Sequence, residues 1–345
     1  MSKISEDLAE MKRKLKEYMD KGRAISYHEL KEEPVMAVKL DGSKIKPLRK
    51  MHSCGLHFLA VDCSTRTLKR ANYWGVYLLR SAFALVKGRD VDWGYKERIC
   101  TVIGDSHKRA ISLRYERLEL ESEMALKLLN ALDIRDIGNL GRSKHTDYAL
   151  DAGDYLLLDG VSFFGKKRGF SVSLYELCKK NEIMLLAVSK QSSALHDETG
   201  RDFMASVYLL SSYPIWVYYP AGKANTDKHL YGDTSVVKLC QDSPRFFRCD
   251  IMEYLTNREV DELLSPLTFI SEDPRCLGYP VPLWLAHDFS TPSDSMLLHY
   301  YTQVEETLAS TGLLNVLRVE ELSCNFPDEL HGVKHPFQWE WIERV

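Results

Sequence analysis

The chain has 345 residues, with 46 basic and 49 acidic side chains and a formal net charge of −3. Apolar residues make up 45% and charged residues 28%, an ordinary globular composition with length for one large domain or a domain with a sizeable insertion. No run of about 18 apolar residues occurs, so no membrane span is expected. The N-terminus, MSKISEDLAEMKRKLKEYMDKG, lacks the apolar stretch of a secretory signal. The cysteines are scattered without a C-x-x-C pair, which argues against a common zinc site and, with the charged N-terminus, for reduced thiols in a cytoplasm. Slight acidity weighs against a strongly basic nucleic-acid binder, but a carboxylate metal site is itself acidic, and local basic patches suffice to hold phosphates.

In chain order, Ile4, Leu8, Met11, Leu15 and Tyr18 recur at three- and four-residue steps and predict a helix over 4–21. Its narrow apolar stripe suits a helix pair or dimer seam, or equally a helix packed on its own domain. Residues 23–55 are polar and irregular apart from a short strand at 35–38, which divides the chain into a helix and arm, 1–55, and a main domain, 56–345. Apolar runs at 56–61, 73–86 and 97–103 predict three successive strands, the first ending at Asp62. A helix over 107–132, a polar loop, a strand at 154–158 ending in Asp159-Gly160, a helix over 171–180 and a strand at 183–188 ending in Ser189-Lys190 follow. A helix over 201–211, strands at 214–220, 235–239 and 245–250, and one long helix over 282–310 complete the reading. Strands alternating with helices after a three-strand meander predict an α/β fold, an RNase H-like mixed sheet flanked by helices, with additional strands in the C-terminal half.

Ligands collect beyond the carboxyl ends of strands in α/β sheets. Asp62 and Asp159 each follow a buried strand and Lys190 follows a third, so two carboxylates would face one crevice that a divalent ion neutralises. The competing explanation for each aspartate alone is turn chemistry beside Gly or Ser. On the helix from 107, Leu118, Ala125, Leu128 and Leu132 share a face with Glu121 in its middle, while Glu116, Glu119 and Glu123 point to solvent. A carboxylate on a core face is costly unless paired or metal-bound, so Glu121 is the candidate, with a salt bridge to Arg114 or Arg117 as the alternative. His287 lies in the second turn of a helix opened by Pro282, where a lone histidine is more often structural.

These segments resemble the NurA family of nucleases that work on DNA ends. Ala60-Val61-Asp62-Cys63-Ser64, Arg117-x-x-x-Glu121-x-x-x-Ala125, Leu157-Leu158-Asp159-Gly160, Ala187-Val188-Ser189-Lys190 and Tyr279-Pro280-Val281-Pro282-Leu283 with Ala286-His287 are similar to its motifs and come in family order. Cys63 stands where the family often has glycine, and 133–150 is long for a linker between helix and strand. The resemblance implies an RNase H-like fold, a homodimer, and a manganese-dependent nuclease with 5′-to-3′ exonuclease and single-strand endonuclease activity. It also implies a role in end resection and double-strand break repair with a HerA-type hexameric ATPase as partner.

On that reading two Mn²⁺ ions (or Mg²⁺) hydrolyse the phosphodiester, with Asp62 bridging them and Glu121, Asp159 and His287 completing the coordination. Lys190 would contact the scissile phosphate. Lys166, Lys167 and Arg168 are candidates to hold DNA phosphates, and Phe163 and Phe164 to stack on unpaired bases. The rival readings are a catalytically silent module that docks an ATPase and a phosphotransferase on the same core. No phosphate-cradling glycine loop supports the latter.

Overall fold

The computed structural model describes residues 3–21, 36–130, 139–140, 150–160, 169–190, 195–225 and 230–330. In chain order, α1 (Lys3–Lys21) and two short strands, β1 (Met36–Val38) and β2 (Ile45–Pro47), lead into three long strands, β3 (His57–Arg70), β4 (Trp74–Lys87) and β5 (Asp90–Ile103). Then come α2 (Ser106–Leu129), β6 (Asn139–Leu140), β7 (Tyr155–Asp159), α3 (Gly169–Lys180) and β8 (Met184–Ser189). The second half holds β9 (Leu195–Asp197), α4 (Phe203–Leu210), β10 (Trp216–Gly222), β11 (Gly232–Lys238) and β12 (Phe247–Met252). Four helices follow among the described residues: α5 (Val260–Phe269), α6 (Val281–Ser290), α7 (Asp294–Ala309) and α8 (Leu314–Leu330).

Ten of the strands form one mixed sheet in the order β2-β10-β11-β12-β8-β7-β3-β4-β5-β6. β3, β4 and β5 are an antiparallel meander, and β7 and β8 add in parallel beside β3. The block β5-β4-β3-β7-β8 is the RNase H-like core expected from the sequence, and the later strands extend it through antiparallel pairing of β12 on β8. Continuous apolar runs such as Leu185 to Val188 place β7 and β8 in the middle, buried on both faces. None of the described helices is long and apolar enough to cross a membrane.

Two sequence expectations are corrected. β3 does not end at Asp62 but runs on to Arg70. Its extension, with the ends of β4 and β5, carries a second core in which Leu68, Trp74, Leu78 and Ile99 meet Met11 and Leu15 of α1 and Val304 and Leu317 of α7 and α8. The apolar stripe of α1 is therefore used within its own chain. The helix expected over 282–310 is two helices, broken at Thr291-Pro292-Ser293. Pro292 offers no N–H to continue α6, and the Ser293 hydroxyl caps α7 by accepting from the Met296 N–H.

The meander is held between two helices. Cys63, Leu79 and Cys100 pack with Leu120 of α2 on one face. Residues paired directly across antiparallel strands share a face. Asp62 is paired with Ala82 and Ala60 with Ala84, so the opposite face is lined by small side chains beside Asp62. α6 lies against β3 and β4 on that side, brought close by those alanines.

Candidate metal centre

The parallel register of β3 and β7 sets Val61 beside Leu158, so the next residues, Asp62 and Asp159, stand side by side on the α6 face. The chain leaves β7 through Gly160, whose φ of +117° suits glycine and whose N–H bonds to the Val188 carbonyl. α6 begins after Pro280, and Pro282 in its first turn removes no needed hydrogen bond. Its second turn brings His287 Nδ1 to 2.8 Å from Asp62 Oδ2. Ligand atoms of Asp62, Asp159 and His287 all lie within 4.8 Å of one another.

Each member has further partners. Asp62 is 2% exposed, and its Oδ1 accepts from the Cys63 N–H at 2.8 Å. Arg117 Nη2 is 3.8 Å from the same oxygen. Burial pushes the Asp62 carboxyl up, but His287, Arg117 and the Cys63 N–H together hold it below the usual carboxylate value. Asp159 is half-buried, with Lys190 Nζ 2.8 Å from Oδ2 and the Tyr279 hydroxyl donating to Oδ1 at 3.3 Å. Lys190 also lies 5.4 Å from the centre of the Tyr279 ring.

Glu121 is the glutamate of α2 that turns inward; it is 8% exposed. Burial, with the Asp62 and Asp159 carboxylates adding to it, pushes its carboxyl up to about 8 against the pull of Arg117. It stands behind Asp62 and outside the mutual 4.8 Å group. Arg117 joins the two, its Nε donating to the Cys63 carbonyl at 2.7 Å and its Nη2 3.8 Å from Glu121 Oε1. The salt-bridge alternative weighed from sequence thus coexists with proximity to the aspartates. Glu116, Glu119 and Glu123 do not face open solvent as expected: they gather on Arg98 of β5 at 3.2, 3.5 and 3.7 Å.

A second group, His57, Asp151 and Asp154, satisfies the same distance criterion at the starts of β3 and β7. There the Asp154 carboxylate already accepts the N–H groups of His57 and Asp151 at 2.8 and 2.9 Å and meets His57 Nδ1 at 2.9 Å. It clamps the loop before β7.

Two carboxylates and one imidazole suit a divalent ion such as Mn²⁺ better than a structural zinc. The charges fit as well. Asp62 and Asp159 face Arg117 and Lys190, and Glu121 close behind them can give up its proton once a divalent cation offsets the cost of its burial. Sequence reasoning gave Arg117 only as a salt-bridge alternative for Glu121 and assigned no role to Tyr279 or to Ser290, whose hydroxyl lies 3.5 Å from Asp62 Oδ2. Their signals were present, one helical turn before Glu121, ahead of Pro280, and one turn after His287. Lys166, Lys167, Arg168, Phe163 and Phe164 lie outside the described residues.

No protein-family model matches the chain, and no curated protein matches it. Solved structures do. A structure of NurA with manganese shares 10% identity at a TM-score of 0.45, covering 78% of this chain and 92% of that one. A second structure of NurA shares 11% at 0.46, covering 91% and 96%. An Aquifex aeolicus Argonaute shares 10% at 0.27, covering 66% and 26%. The first two belong to the family that the motifs resemble. The likeness is one of fold alone, and at these scores it transfers neither a residue role nor an activity.

Proposed function

We propose that this chain is a metal-dependent DNA nuclease that hydrolyses phosphodiester bonds at the Asp62, Asp159 and His287 centre. The observation that carries the reading is the convergence of these three ligand atoms within 4.8 Å, with Arg117 and Lys190 at their flanks. Mixed strand-end aspartates alone are common. Aspartates on adjacent parallel strands, met by a histidine from a helix across the sheet face, are a donor set.

Asp62, Asp159 and His287 would hold the divalent cation. When bound, such an ion polarises a phosphoryl oxygen and acidifies a water. The protein's own groups do the rest. Lys190 is 45% exposed and held by a single carboxylate contact, so it is free to pass from Asp159 to a phosphate oxygen of the substrate. Tyr279, buried beside it, keeps Asp159 oriented through its hydroxyl. Ser290 and the Cys63 N–H hold Asp62 in its rotamer. Glu121 adds negative charge close behind Asp62 once a cation offsets the cost of its burial.

The finer reading follows the motif resemblance: Mn²⁺ preferred over Mg²⁺, DNA ends as substrate, 5′-to-3′ digestion with single-strand endonuclease activity, a homodimer, and a HerA-type ATPase as partner in end resection. A cytoplasmic setting agrees with the eight free cysteines. The test is digestion of end-labelled linear DNA with Mn²⁺, with Mg²⁺ and with EDTA, beside Asp62→Asn. Metal-dependent cleavage by the wild type and none by Asp62→Asn is expected. Undiminished manganese-dependent cleavage by Asp62→Asn would remove Asp62 from the chemistry. No cleavage by the wild type, with or without the ATPase, would favour a docking module.

A further inference from the structure

The two oxygens of Asp62 are in different settings. Oδ2 meets His287 Nδ1 at 2.8 Å. Oδ1 is engaged from another direction, by the Cys63 N–H at 2.8 Å and by Arg117 Nη2 at 3.8 Å. A carboxylate that bridges two metal ions gives one oxygen to each. Here the second oxygen already has a backbone donor and a cation.

We infer that the centre holds one divalent cation per chain, at Asp62, Asp159 and His287, and that the Arg117 guanidinium takes the place of a second cation between Asp62 Oδ1 and Glu121 Oε1. This rests on the site assignment proposed above and deepens it. Arg117 Nη2 is 3.8 Å from each of those oxygens, so its charge serves both carboxylates. Its Nε is tied to the Cys63 carbonyl at 2.7 Å, which sets the plane of the guanidinium. An arginine keeps its proton under all ordinary conditions and spreads its charge over a rigid fork. It is a permanent resident.

Lys190 differs. It is about as exposed as Arg117, but it ends in a single flexible ammonium and contacts only the Asp159 carboxylate among the ligands. An arriving cation or phosphate can displace it without leaving a buried group unpaired. A second divalent ion on Asp62 Oδ1 and Glu121 would have to share those oxygens with the Arg117 guanidinium, and like charges that close in a partly buried site repel strongly. Arg117 would thus complete, with a side chain, the charge that a second metal provides elsewhere.

The experiment is Mn²⁺ stoichiometry of the full-length chain by equilibrium dialysis, with electron paramagnetic resonance to tell isolated from exchange-coupled ions. The wild type should bind one Mn²⁺ per chain with an uncoupled spectrum. Arg117→Gln keeps a donor for the Cys63 carbonyl but removes the charge, and should bind two ions with a coupled spectrum. Arg117→Lys keeps a charge and should bind one. Two coupled ions in the wild type would overturn the inference, whatever the fate of the variants. One ion in a folded Arg117→Gln, judged by circular dichroism, would overturn it too. No Mn²⁺ binding by the wild type is a different failure, since it removes the site assignment itself.

Discussion

Lys69 offers a test of how the second core is held. It lies on the extension of β3 with its side chain 2% exposed. Its ammonium is 2.7 Å from Glu305 of α7, 3.0 Å from Glu321 of α8 and 3.2 Å from the Tyr301 hydroxyl, and sits 4.5 Å over the Tyr301 ring. Burial alone would lower the Lys69 pKa, but Glu321, Tyr301 and Glu305 together raise it above its ordinary value. Burial raises the Glu305 carboxyl, and the Lys69 contact outweighs it and holds it low. Lys69→Met keeps the apolar stem, takes the Lys69 cation from Glu321 and leaves Glu305 with Arg318 alone, at 3.3 Å. Removing one partner of a buried pair costs roughly 3–5 kcal/mol, and the lower end applies because both carboxylates keep some contact with water. For a chain of this size about 3 kcal/mol corresponds to a fall in Tm of roughly 4 °C. Because the Glu305 carboxyl is depressed, its contribution is present above pH 4.5 and is lost as pH falls through its folded value. Because Lys69 is raised, its contribution is full below pH 10.5 and is lost as pH rises through its folded value. The gap between wild type and Lys69→Met should therefore be widest near neutral pH and narrow in acid. Thermal unfolding of the metal-free chain followed by circular dichroism at several pH values measures it. A Tm difference under about 1 °C at pH 7, where roughly 4 °C is expected, would refute the assignment of this ion cluster as a tie between β3 and the two helices.

Two further outcomes are expected. Gly278 has a φ of +88°, and an added Cβ would meet the Ser243 side chain, so Gly278→Ala should cost roughly 1–3 kcal/mol in denaturant unfolding. A change below a few tenths would mean that the turn before Tyr279 is not constrained. Glu119→Gln should leave Mn²⁺ affinity within about twofold and stability within about 0.5 kcal/mol, because its carboxylate belongs to the partly exposed Arg98 cluster. A tenfold loss of Mn²⁺ affinity would return Glu119 to the metal centre in place of Glu121.

The core of the fold was legible because local pattern and burial agree there. β7 and β8 are short, apolar and bounded by Asp159-Gly160 and Ser189-Lys190, so run length and turn residues give their ends within a residue or so. β3 was cut short for a physical reason. Beyond Asp62 it reads Cys-Ser-Thr-Arg-Thr, polar enough to mimic a turn, and only the cover of α1, α7 and α8 makes that stretch a strand. The length of a strand in a meander is set by its partners, and β4, which is apolar almost throughout, pairs with its neighbour from His57 to Arg70, with one register shift between Thr67 and Lys69. α8 was missed because Val316, Val319 and Leu322 are exposed on it, so its apolar residues do not form a single stripe that reports burial.

The centre itself shows where sequence stops being informative. Asp62 and Asp159 could be placed together because each follows an apolar run, and although Asp62 lies within β3 rather than at its end, the parallel register still sets the two side by side. Glu121 could be chosen over its neighbours by helical phase. What the phase could not give is the depth of Glu121 relative to the aspartates, since that depends on where α2 crosses the sheet. Arg117 shares the phase of Glu121 one turn earlier, yet its guanidinium is aimed by the Cys63 carbonyl, a backbone group on another element. A long side chain takes its direction from whatever acceptor lies within reach, and no spacing in the chain encodes that acceptor. The carboxylates of this centre are thus written in the pattern of strands and helix faces, while the cations that balance them are set by tertiary geometry.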